Sequence, residues 1–191
     1  MVIRSFLAFE LPEEIKGIIS RISEEMRRFP LDVKWIRPDN IHLTVLFMGN
    51  ILTDDLREMG DRINGICMRY APFCFSLNGA GVFSNRRNPR ILWVGVDGDI
   101  ERMSYFRDAL QKHLGPFGVK REKRRFNPHL TLGRFRKGGA PTFHLDELLS
   151  RYQHLTTRVC VLKELVLFKS DLRPGGAVYT NVDTWPLMGK H

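Results

Sequence analysis

The chain is poor in cysteine, and its cysteines show no pairing pattern. The 191 residues contain only Cys67, Cys74 and Cys160, an odd number, widely separated and each set among apolar neighbours. Small secreted proteins that depend on disulfides carry even numbers of cysteines at much higher density. We therefore expect three reduced cysteines packed in the core of a cytoplasmic protein.

The sequence also lacks a membrane-spanning segment and a nucleotide-binding loop, and these two absences exclude several classes of function. No apolar run approaches the length of a membrane span, and the apolar residues 5–9 are too few and too closely flanked by Arg4 and Glu10 to form a signal segment. The chain also lacks the Gly-x-x-x-x-Gly-Lys-Ser/Thr loop that cradles nucleotide phosphates. We expect no contact with membranes and no cofactor.

Acidic residues are fewer than basic ones. Thirty Lys and Arg against 21 Asp and Glu give a formal net charge of +9, so the long-range field of the protein should attract polyanions, with nucleic acid the first candidate. A charge that serves only solubility is the alternative, and the charge alone does not decide between them. Two basic stretches could guide RNA or could be solvated loops: Arg86, Arg87, Arg90, Lys120, Arg121, Lys123, Arg124 and Arg125.

Hydrophobic periodicity predicts a mixture of strands and helices. The ranges with strand character are 5–9, 33–36, 41–47, 73–77, 91–96, 127–135, 159–168 and 177–182. The ranges with helical spacing are 12–29, 53–70, 100–114 and 145–152. Because the two kinds do not alternate regularly, we predict an α+β fold with mainly antiparallel sheets, in one domain over residues 1–191.

The strongest signal is a near-repeat. Residues 40–45 (Asn-Ile-His-Leu-Thr-Val) and residues 127–132 (Asn-Pro-His-Leu-Thr-Leu) share Asn, His, Leu and Thr at the same offsets. A second match to four fixed positions arises by chance about once in a thousand chains of this size, if residue types recur at roughly one in twenty. The repeat therefore indicates a function that needs two copies of His-x-Thr.

Strand geometry places the polar residues of each copy together. Side chains alternate between the two faces of a strand, so His42 and Thr44 point one way, and His129 and Thr131 repeat the arrangement. Two imidazoles suit in-line phosphoryl transfer, in which a neutral ring removes a proton and a charged ring supplies one. The threonine hydroxyls can donate hydrogen bonds to the non-bridging phosphate oxygens.

Two other interpretations compete with this one. A single His-x-Thr is more often a satisfied histidine within a strand, and only the duplication reverses that preference. A metal site is the second alternative, but neither copy has a second histidine at ligand spacing, a cysteine pair or a carboxylate cluster nearby. The sequence therefore favours acid–base chemistry without a metal. His113, His144 and His154 have no repeated context and are interpreted as surface residues.

The chain resembles the two-histidine (2H) phosphoesterase superfamily and, within it, the RNA 2′,3′-cyclic phosphodiesterases, also described as 2′-5′ RNA ligases. The resemblance extends over nearly the whole chain and includes the context of both motifs. The ranges that carry it are 4–12, 33–49, 91–96 (Ile-Leu-Trp-Val-Gly-Val), 126–134 (Phe-Asn-Pro-His-Leu-Thr-Leu-Gly-Arg) and 165–170 with Tyr179.

The resemblance implies two pseudo-symmetric lobes around a central cleft, with the helices outside. It also implies that His42 is the proton donor to the 3′ oxygen, that His129 is the proton acceptor for water, and that Thr44 and Thr131 hold the phosphate. The product would be an RNA with a 2′-phosphate, with a weak ligation of 2′-5′ ends that needs no ATP. The implied partner is RNA with 2′,3′-cyclic phosphate ends, tRNA fragments among them, and we expect a monomer.

Arg134 and the type of substrate are left open by the sequence. Arg134 matches an arginine common after the second motif, yet strand parity from His129 turns it to the opposite face unless Gly133 supplies a bulge. A non-catalytic module that binds RNA ends and a cyclic phosphodiesterase for small nucleotides are the competing functions. Trp35 and Trp93 lie in apolar strands and are expected in the core.

Overall fold

The fold is described here from a computed structural model, which covers residues 1–136, 142–174 and 176–190. The four helices of this part of the chain are α1 Glu13–Met26, α2 Leu56–Cys67, α3 Ile100–Leu114 and α4 Thr142–Arg151. Its nine strands are β1 Val2–Phe9, β2 Val33–Trp35, β3 Leu43–Leu52, β4 Phe73–Asn85, β5 Asn88–Gly98, β6 His129–Phe135, β7 Cys160–Leu162, β8 Glu164–Arg173 and β9 Gly176–Pro186.

The strands form one antiparallel sheet in the order β7-β4-β5-β6-β3-β1-β8-β9. The short strand β2 pairs with the end of β6, on the edge of β6 that β3 leaves free. The two central strands are β3 and β6, and three strands lie outward from each of them. The predicted α+β class with antiparallel pairing is confirmed, and the two halves of the sheet are arranged pseudo-symmetrically about the central pair.

Helix α1 shows why the helices pack against this sheet. Pro12 at its N-cap fixes the backbone before the first turn, and Glu13 and Glu14 lie where the helix dipole favours negative charge. Its apolar residues recur at helical spacing, and Ile15 and Ile19 are fully buried. The α-helix ends at Met26, three residues before the predicted end. A single large apolar cluster unites the helices with one face of the sheet.

Residues 85–90 lie between the predicted strand ranges 73–77 and 91–96, yet they do not form an extended loop. The strands β4 and β5 instead continue to a tight turn, with Asn85 paired to Asn88. The side-chain oxygen of Asn85 accepts a hydrogen bond from the backbone N–H of Asn88 at 2.7 Å, which closes the turn locally. Ser84 takes a positive φ of 80° where the pairing shifts register. Side-chain capping of the turn was not visible in the hydrophobic pattern.

The cysteines only partly follow the expectation of a buried set. Cys67 is buried, but Cys160 is half-buried and Cys74 is exposed, because residue 74 falls on the outward face between Phe73 and Phe75. All three are free thiols. In the described parts of the chain, no helix is both long and apolar enough to cross a membrane.

Candidate active site

The two repeated motifs meet at the centre of the sheet. Strands β3 and β6 are neighbours, and the residue pair that joins them is Leu43 with Leu130, the leucines of the two motifs. Both leucines are fully buried, so they anchor the motif strands in the core. The pseudo-symmetry axis of the sheet therefore passes close to this pair.

The antiparallel register brings each histidine beside the threonine of the other motif. One residue to either side of the leucine pair, His42 lies opposite Thr131, and Thr44 lies opposite His129. All four positions are half-buried, whereas the leucines between them are fully buried. The four polar residues thus share one face of the sheet, and the leucines point to the other.

Both imidazoles are held in the same way. Nδ1 of His42 lies 2.9 Å from the carbonyl oxygen of Asn40, and Nδ1 of His129 lies 2.8 Å from the carbonyl oxygen of Asn127. A carbonyl can only accept, so each Nδ1 carries a proton and donates it. The atom left for chemistry on each ring is therefore Nε2. The two asparagines belong to the repeat, but only the structure shows that their backbone carbonyls orient the rings.

Aromatic rings surround His42. Phe6 stacks on the imidazole with a centroid separation of 4.7 Å, and Tyr179 meets it edge-on at 5.2 Å. Phe168 lies behind them, 5.3 Å from Phe6. These rings belong to β1, β8 and β9, so the outer strands of this half fix the orientation of His42. His129 has a smaller aromatic neighbourhood, in which Phe83 meets it edge-on at 4.6 Å.

Burial lowers the pKa of both histidines. Desolvation brings the pKa of His42 down to about 4, opposed by its hydrogen bond to Asn40 and assisted by the nearby His129. Desolvation also lowers the pKa of His129, and the positive charge of Arg134 acts in the same direction. At neutral pH without a ligand, both rings are therefore neutral and each Nε2 is an acceptor.

A cleft of about 560 Å³ opens beside these residues. It is lined by His42, Thr44 and Thr131 of the motifs. His129 is not among the residues that line it; it lies on β6 opposite Thr44. The cationic residues that line it are Arg4, Lys34, Arg37 and Arg134. None of the described residues that line it is Asp or Glu. The cleft is thus suited to hold an anion.

Arg134 reaches the cleft through a bulge in β6. Thr131 pairs with Trp93 and Gly133 pairs with Leu92, so Leu132 has no partner on β5 and the alternation of side chains is reset. As a result Thr131 and Arg134, three residues apart, both line the cleft. The parity argument from the sequence fails here because it assumed an uninterrupted strand.

Gly133 serves a packing purpose next to this bulge. A Cβ atom at residue 133 would collide with the side chain of Val33 and press on the backbone of Lys34. Glycine therefore lets β2 lie close against β6, and Lys34 becomes the direct cross-strand partner of Arg134.

The structure also places the tryptophans that were predicted in the core and the basic stretches whose role the sequence left open. Trp35 is half-buried and lines the cleft, so it is only partly a core residue. Trp93 is likewise half-buried and lies opposite Thr131. The basic residues 120–125 are not among those that line the cleft, and Arg86 pairs with Asp146 at 2.9 Å. Of the charged residues that line it, Arg4, Lys34 and Arg37 stand in no repeat, and among the arguments from composition and motifs only the net charge pointed to them.

Within residues 1–136, 142–174 and 176–190, no three side chains of His, Cys, Asp or Glu are grouped closely enough to hold a metal ion. His113 is exposed on α3, and His144 on α4 lies 3.9 Å from Glu147 of the same helix. Neither belongs to the cleft.

Comparison with known proteins gives a family match over most of the chain. A family model described as LigT like phosphoesterase matches residues 9–93 and again residues 94–179. The first match contains His42 and the second contains His129. Each half of the chain therefore matches the same family model, in agreement with the duplication of the motifs.

Two relatives and one solved structure agree with that match. A protein of Methanothermobacter thermautotrophicus named RNA 2′,3′-cyclic phosphodiesterase is 33% identical over 98% of this chain and 100% of its own length. A protein of Aquifex aeolicus with the same name is 28% identical over 98% of this chain and 99% of its own length. The crystal structure of the Thermus thermophilus protein TT0787 has a TM-score of 0.81 at 26% identity, covering 98% of this chain and 100% of that one.

Proposed function

We propose, from the premise that the chain belongs to the LigT-like phosphoesterase family, that it hydrolyses the 2′,3′-cyclic phosphate at RNA ends and leaves a 2′-phosphate. Relatives that match nearly its full length carry the name RNA 2′,3′-cyclic phosphodiesterase. The observation that carries the proposal is the crossed arrangement at the centre of the sheet, in which each histidine lies opposite the threonine of the other motif.

The proposed reaction needs one base and one acid. Water attacks the phosphorus, and its proton passes to Nε2 of His129. The bond between phosphorus and the 3′ oxygen breaks, and that oxygen takes a proton from Nε2 of His42. The 2′ ester bond stays intact, so the product has a 2′-phosphate and a 3′-hydroxyl. The hydrogen bonds at Nδ1 support these roles because they leave Nε2 of both rings available.

The acid must be charged before it can act, although burial disfavours that charge. The pKa of His42 is about 4 in the free protein, so very little of it is protonated at neutral pH. A bound phosphodiester is an anion, and an opposite charge at hydrogen-bond distance raises the pKa of an imidazole. Substrate binding would therefore favour the charged form of His42, and the positive charge of Arg134, which lowers the pKa of His129, would oppose protonation of the ring that acts as the base.

The phosphate would be held by groups on both strands. Thr44 and Thr131 can donate hydroxyl hydrogen bonds to its non-bridging oxygens, and Arg134 can donate from its guanidinium. These three residues line the same cleft. As charge grows on the phosphoryl oxygens in the transition state, these donors stabilise it more than they stabilise the ground state.

The same site could also use an alcohol in place of water as the attacking group. If a 5′-hydroxyl replaces water, the chemistry forms a 2′-5′ bond without ATP, as a minor activity. We propose RNA with cyclic phosphate ends, including tRNA fragments, as the substrate, since the net charge of +9 favours a polyanion. We also propose that residues 1–191 act as one bilobal domain and a monomer, in the cytoplasm, where three free cysteines would stay reduced.

One experiment separates this function from its alternatives. Turnover is measured for an oligoribonucleotide with a 2′,3′-cyclic phosphate end and for a nucleoside 2′,3′-cyclic phosphate, both in excess EDTA because the proposed chemistry needs no metal. We expect the oligonucleotide to be opened with the higher kcat/KM, and only to the 2′-phosphate. A preference for the mononucleotide indicates a small-nucleotide enzyme, binding without turnover indicates a non-catalytic module, and loss of activity in EDTA contradicts the metal-free mechanism.

A further inference from the structure

Arg107 is a buried cation in the middle of α3. Only 7% of its surface is exposed, and Gln111, one turn further along the helix, is 4% exposed. Charged side chains are rarely buried unless they are paired. Nε and Nη2 of Arg107 both donate to Oδ1 of Asp108, at 2.9 Å and 2.7 Å. The third nitrogen, Nη1, is left to contact another part of the chain.

That part is the approach segment, residues 119–126, which leads into the second histidine motif. Nη1 of Arg107 donates to the carbonyl oxygen of Arg124 at 3.2 Å. The guanidinium carbon also lies 5.1 Å from the centre of the Phe126 ring, and the face of a phenyl ring attracts a guanidinium group. One buried side chain therefore holds both the backbone and a side chain of the approach segment.

Gln111 adds a further connection to the same segment. Its Nε2 donates to Oδ1 of Asp108 at 3.1 Å, which is the atom that also holds Arg107. Its Oε1 accepts a hydrogen bond from the backbone N–H of Glu122. Helix α3 thus contacts two backbone groups and one aromatic ring of the approach segment.

The approach segment needs such contacts because it has little structure of its own. As the structure describes it, residues 119–126 belong to no helix or strand. Residues 120–125 carry five cations and one carboxylate, so repulsion between like charges opposes a compact arrangement. The ion pair between Arg124 and Glu122 lies within the segment and does not tie it to the rest of the protein. Its position therefore depends on α3.

The end of the approach segment determines how the second histidine is oriented. Asn127 lies between Phe126, which packs against the core, and Pro128, which is buried. The carbonyl oxygen of Asn127 accepts the hydrogen bond from Nδ1 of His129 at 2.8 Å. A shift of Phe126 would therefore displace the group that fixes the imidazole.

The first motif is tied to the fold in a different way. Nδ2 of Asn40 donates to the carbonyl oxygen of Ala177 on β9 at 3.1 Å, so the asparagine itself links that motif to the sheet. Asn127 occupies the equivalent position of the second motif, and it is exposed. The second half of the protein thus uses α3 where the first half uses its own asparagine.

We propose that Arg107 is a positioning residue for His129, which acts through the approach segment and keeps Nε2 of that imidazole directed at the attacking water. This inference rests on the proposed function and adds a residue outside the cleft to the support of the base. Arg107 is not among the residues that line the cleft. Its loss should therefore impair the step that needs the base while leaving the binding of substrate intact.

Arg102, on the same helix, provides a matched control. It makes the same three kinds of contact: an ion pair with Asp99 at 2.7 Å, a hydrogen bond to the carbonyl oxygen of Ala71 at 3.2 Å, and a guanidinium carbon 4.9 Å from the centre of the Phe73 ring. These contacts hold the start of β4 and not the second motif. Arg102→Met and Arg107→Met should both lower thermal stability, but only Arg107→Met should affect the base.

Kinetics on an oligoribonucleotide with a 2′,3′-cyclic phosphate end provides the first measurement. Arg107→Met should lower kcat by about 10-fold to 100-fold, the effect of a small misplacement of a catalytic group, with KM close to the wild-type value. Arg107→Lys should show a smaller loss, since an ammonium group still donates hydrogen bonds but lacks the planar fork. Arg102→Met should keep the wild-type kcat. Equal losses of kcat in Arg102→Met and Arg107→Met, or a change in KM alone, would overturn the positioning role.

Double variants test whether Arg107 acts through His129. The substrate is a phosphodiester whose leaving group needs no proton, so that variants without the acid remain measurable. Added to His129→Ala, Arg107→Met should cause no further loss of kcat, because the base is already absent. Added to His42→Ala, it should cause its full loss. A full loss in both backgrounds would show that Arg107 does not act through the base.

The tautomer of His129 is a measurement that needs no catalysis. In the wild-type protein the hydrogen bond to Asn127 holds the proton on Nδ1, so ¹⁵N NMR at neutral pH should show this one tautomer for the ring, assigned by its absence in His129→Gln. Arg107→Met and Arg107→Lys should show a mixture of both neutral tautomers, and Arg102→Met should not. An unchanged tautomer in both Arg107 variants would overturn the proposal even if kcat fell.

The NMR measurement also separates this proposal from the proposed function. If the wild-type protein hydrolyses no cyclic phosphate, the proposed function fails, and the tautomer in the Arg107 variants still decides whether Arg107 positions the imidazole. If Arg107→Met does not fold, Arg107→Lys and Phe126→Leu, which removes the ring beside the guanidinium, take its place. A wild-type tautomer in both of these variants would overturn the proposal.

Discussion

Lys34 and Arg134 lie directly opposite each other on the neighbouring antiparallel strands β2 and β6, and both line the cleft. Like charges at directly opposed positions destabilise a sheet. Neither residue has a carboxylate partner among the ion pairs found in the described residues. The free protein therefore holds two cations together at this point of the cleft, and an anion between them would relieve the repulsion.

This arrangement predicts opposite effects of Arg134→Gln on stability and activity. The free energy of unfolding should rise, by at most about 1 kcal/mol, because a like-charge pair is removed. The affinity for RNA ends should fall, and the slope of log K against log salt should become shallower by roughly 0.7, the value for one fewer single-strand phosphate contact. Urea unfolding and binding measured from low to high salt test both.

Arg136→Gln is the matched control, because Arg136 follows the same strand, lies 3.5 Å from Asp32 and is not among the residues that line the cleft. It should leave both the salt slope and the affinity close to wild type. Equal losses of affinity in the two variants would show that only the net charge matters and that Arg134 has no particular contact.

The leucine pair at the centre of the sheet should be a stability determinant for both motifs. Leu43 and Leu130 are fully buried and directly paired, so Leu43→Ala and Leu130→Ala should each lower the free energy of unfolding by about 2 to 5 kcal/mol. Because the two side chains are cross-strand partners, the double variant should depart from the sum of the single variants by at least about 0.5 kcal/mol. Denaturant unfolding of all four proteins measures this. Strict additivity would contradict direct contact across the central strand pair.

The lowered pKa values of the histidines predict how stability depends on pH. In an unfolded chain a histidine has a pKa of about 6.5, whereas burial holds that of His42 at about 4 in the folded protein. Between these values the unfolded chain binds more protons, so the free energy of unfolding must fall as pH is lowered from 6.5 to 4. His42 alone contributes about 3 kcal/mol to this loss, and His129 acts in the same direction.

Urea unfolding at pH 7 and pH 4.5 measures the loss in the wild-type protein, in His42→Gln and in His113→Gln. Glutamine at residue 42 cannot take up the proton, so this variant should show a clearly smaller loss. His113 is exposed, and its variant should behave like the wild type. Sulfate, whose charge is constant over this range, should bind more tightly as pH falls and reduce the loss. An identical pH dependence in all three proteins would mean that His42 titrates normally.

The sequence could predict those parts of the candidate site that depend only on neighbouring residues in the chain. His42 and His129, with Thr44 and Thr131, were found because duplication makes four positions stand out and because strand alternation is a local rule. The antiparallel α+β class followed from periodicity in the same way. The sequence could not decide whether the side chain of Arg134 faces the cleft. Its direction depends on a bulge in β6, which strand alternation alone does not reveal.

The parts that the sequence could not predict depend on which strands become neighbours. Nothing in the sequence indicates that Lys34 lies beside Arg134, because this contact depends on the pairing of β2 with β6. The aromatic rings around His42 come from β1, β8 and β9, which are distant in sequence, and their desolvation sets its pKa. Pairing between strands that are far apart in the sequence cannot be predicted from a segment of about ten residues.

The assignment of acid and base can be tested separately from the need for both histidines. His42→Ala and His129→Ala should each lower turnover by about 10²-fold to 10⁴-fold, the usual effect of losing a positioned acid or base. Neither should lower stability at pH 7 as much as the leucine variants, since both positions are only half-buried. His113→Ala, on an exposed helix position, is the control and should keep full activity.

A substrate whose leaving group needs no proton isolates the role of the acid. If His42 protonates the 3′ leaving oxygen, a cyclic or aryl phosphodiester that releases a stable anion should restore most of the turnover of His42→Ala. The same substrate should leave His129→Ala impaired, because water must still lose a proton to a base. Comparison of kcat/KM for the natural and the activated substrate in both variants gives the answer. Equal rescue of both variants, or a 3′-phosphate product from the natural substrate, would reverse or remove the assigned roles even if both histidines proved essential.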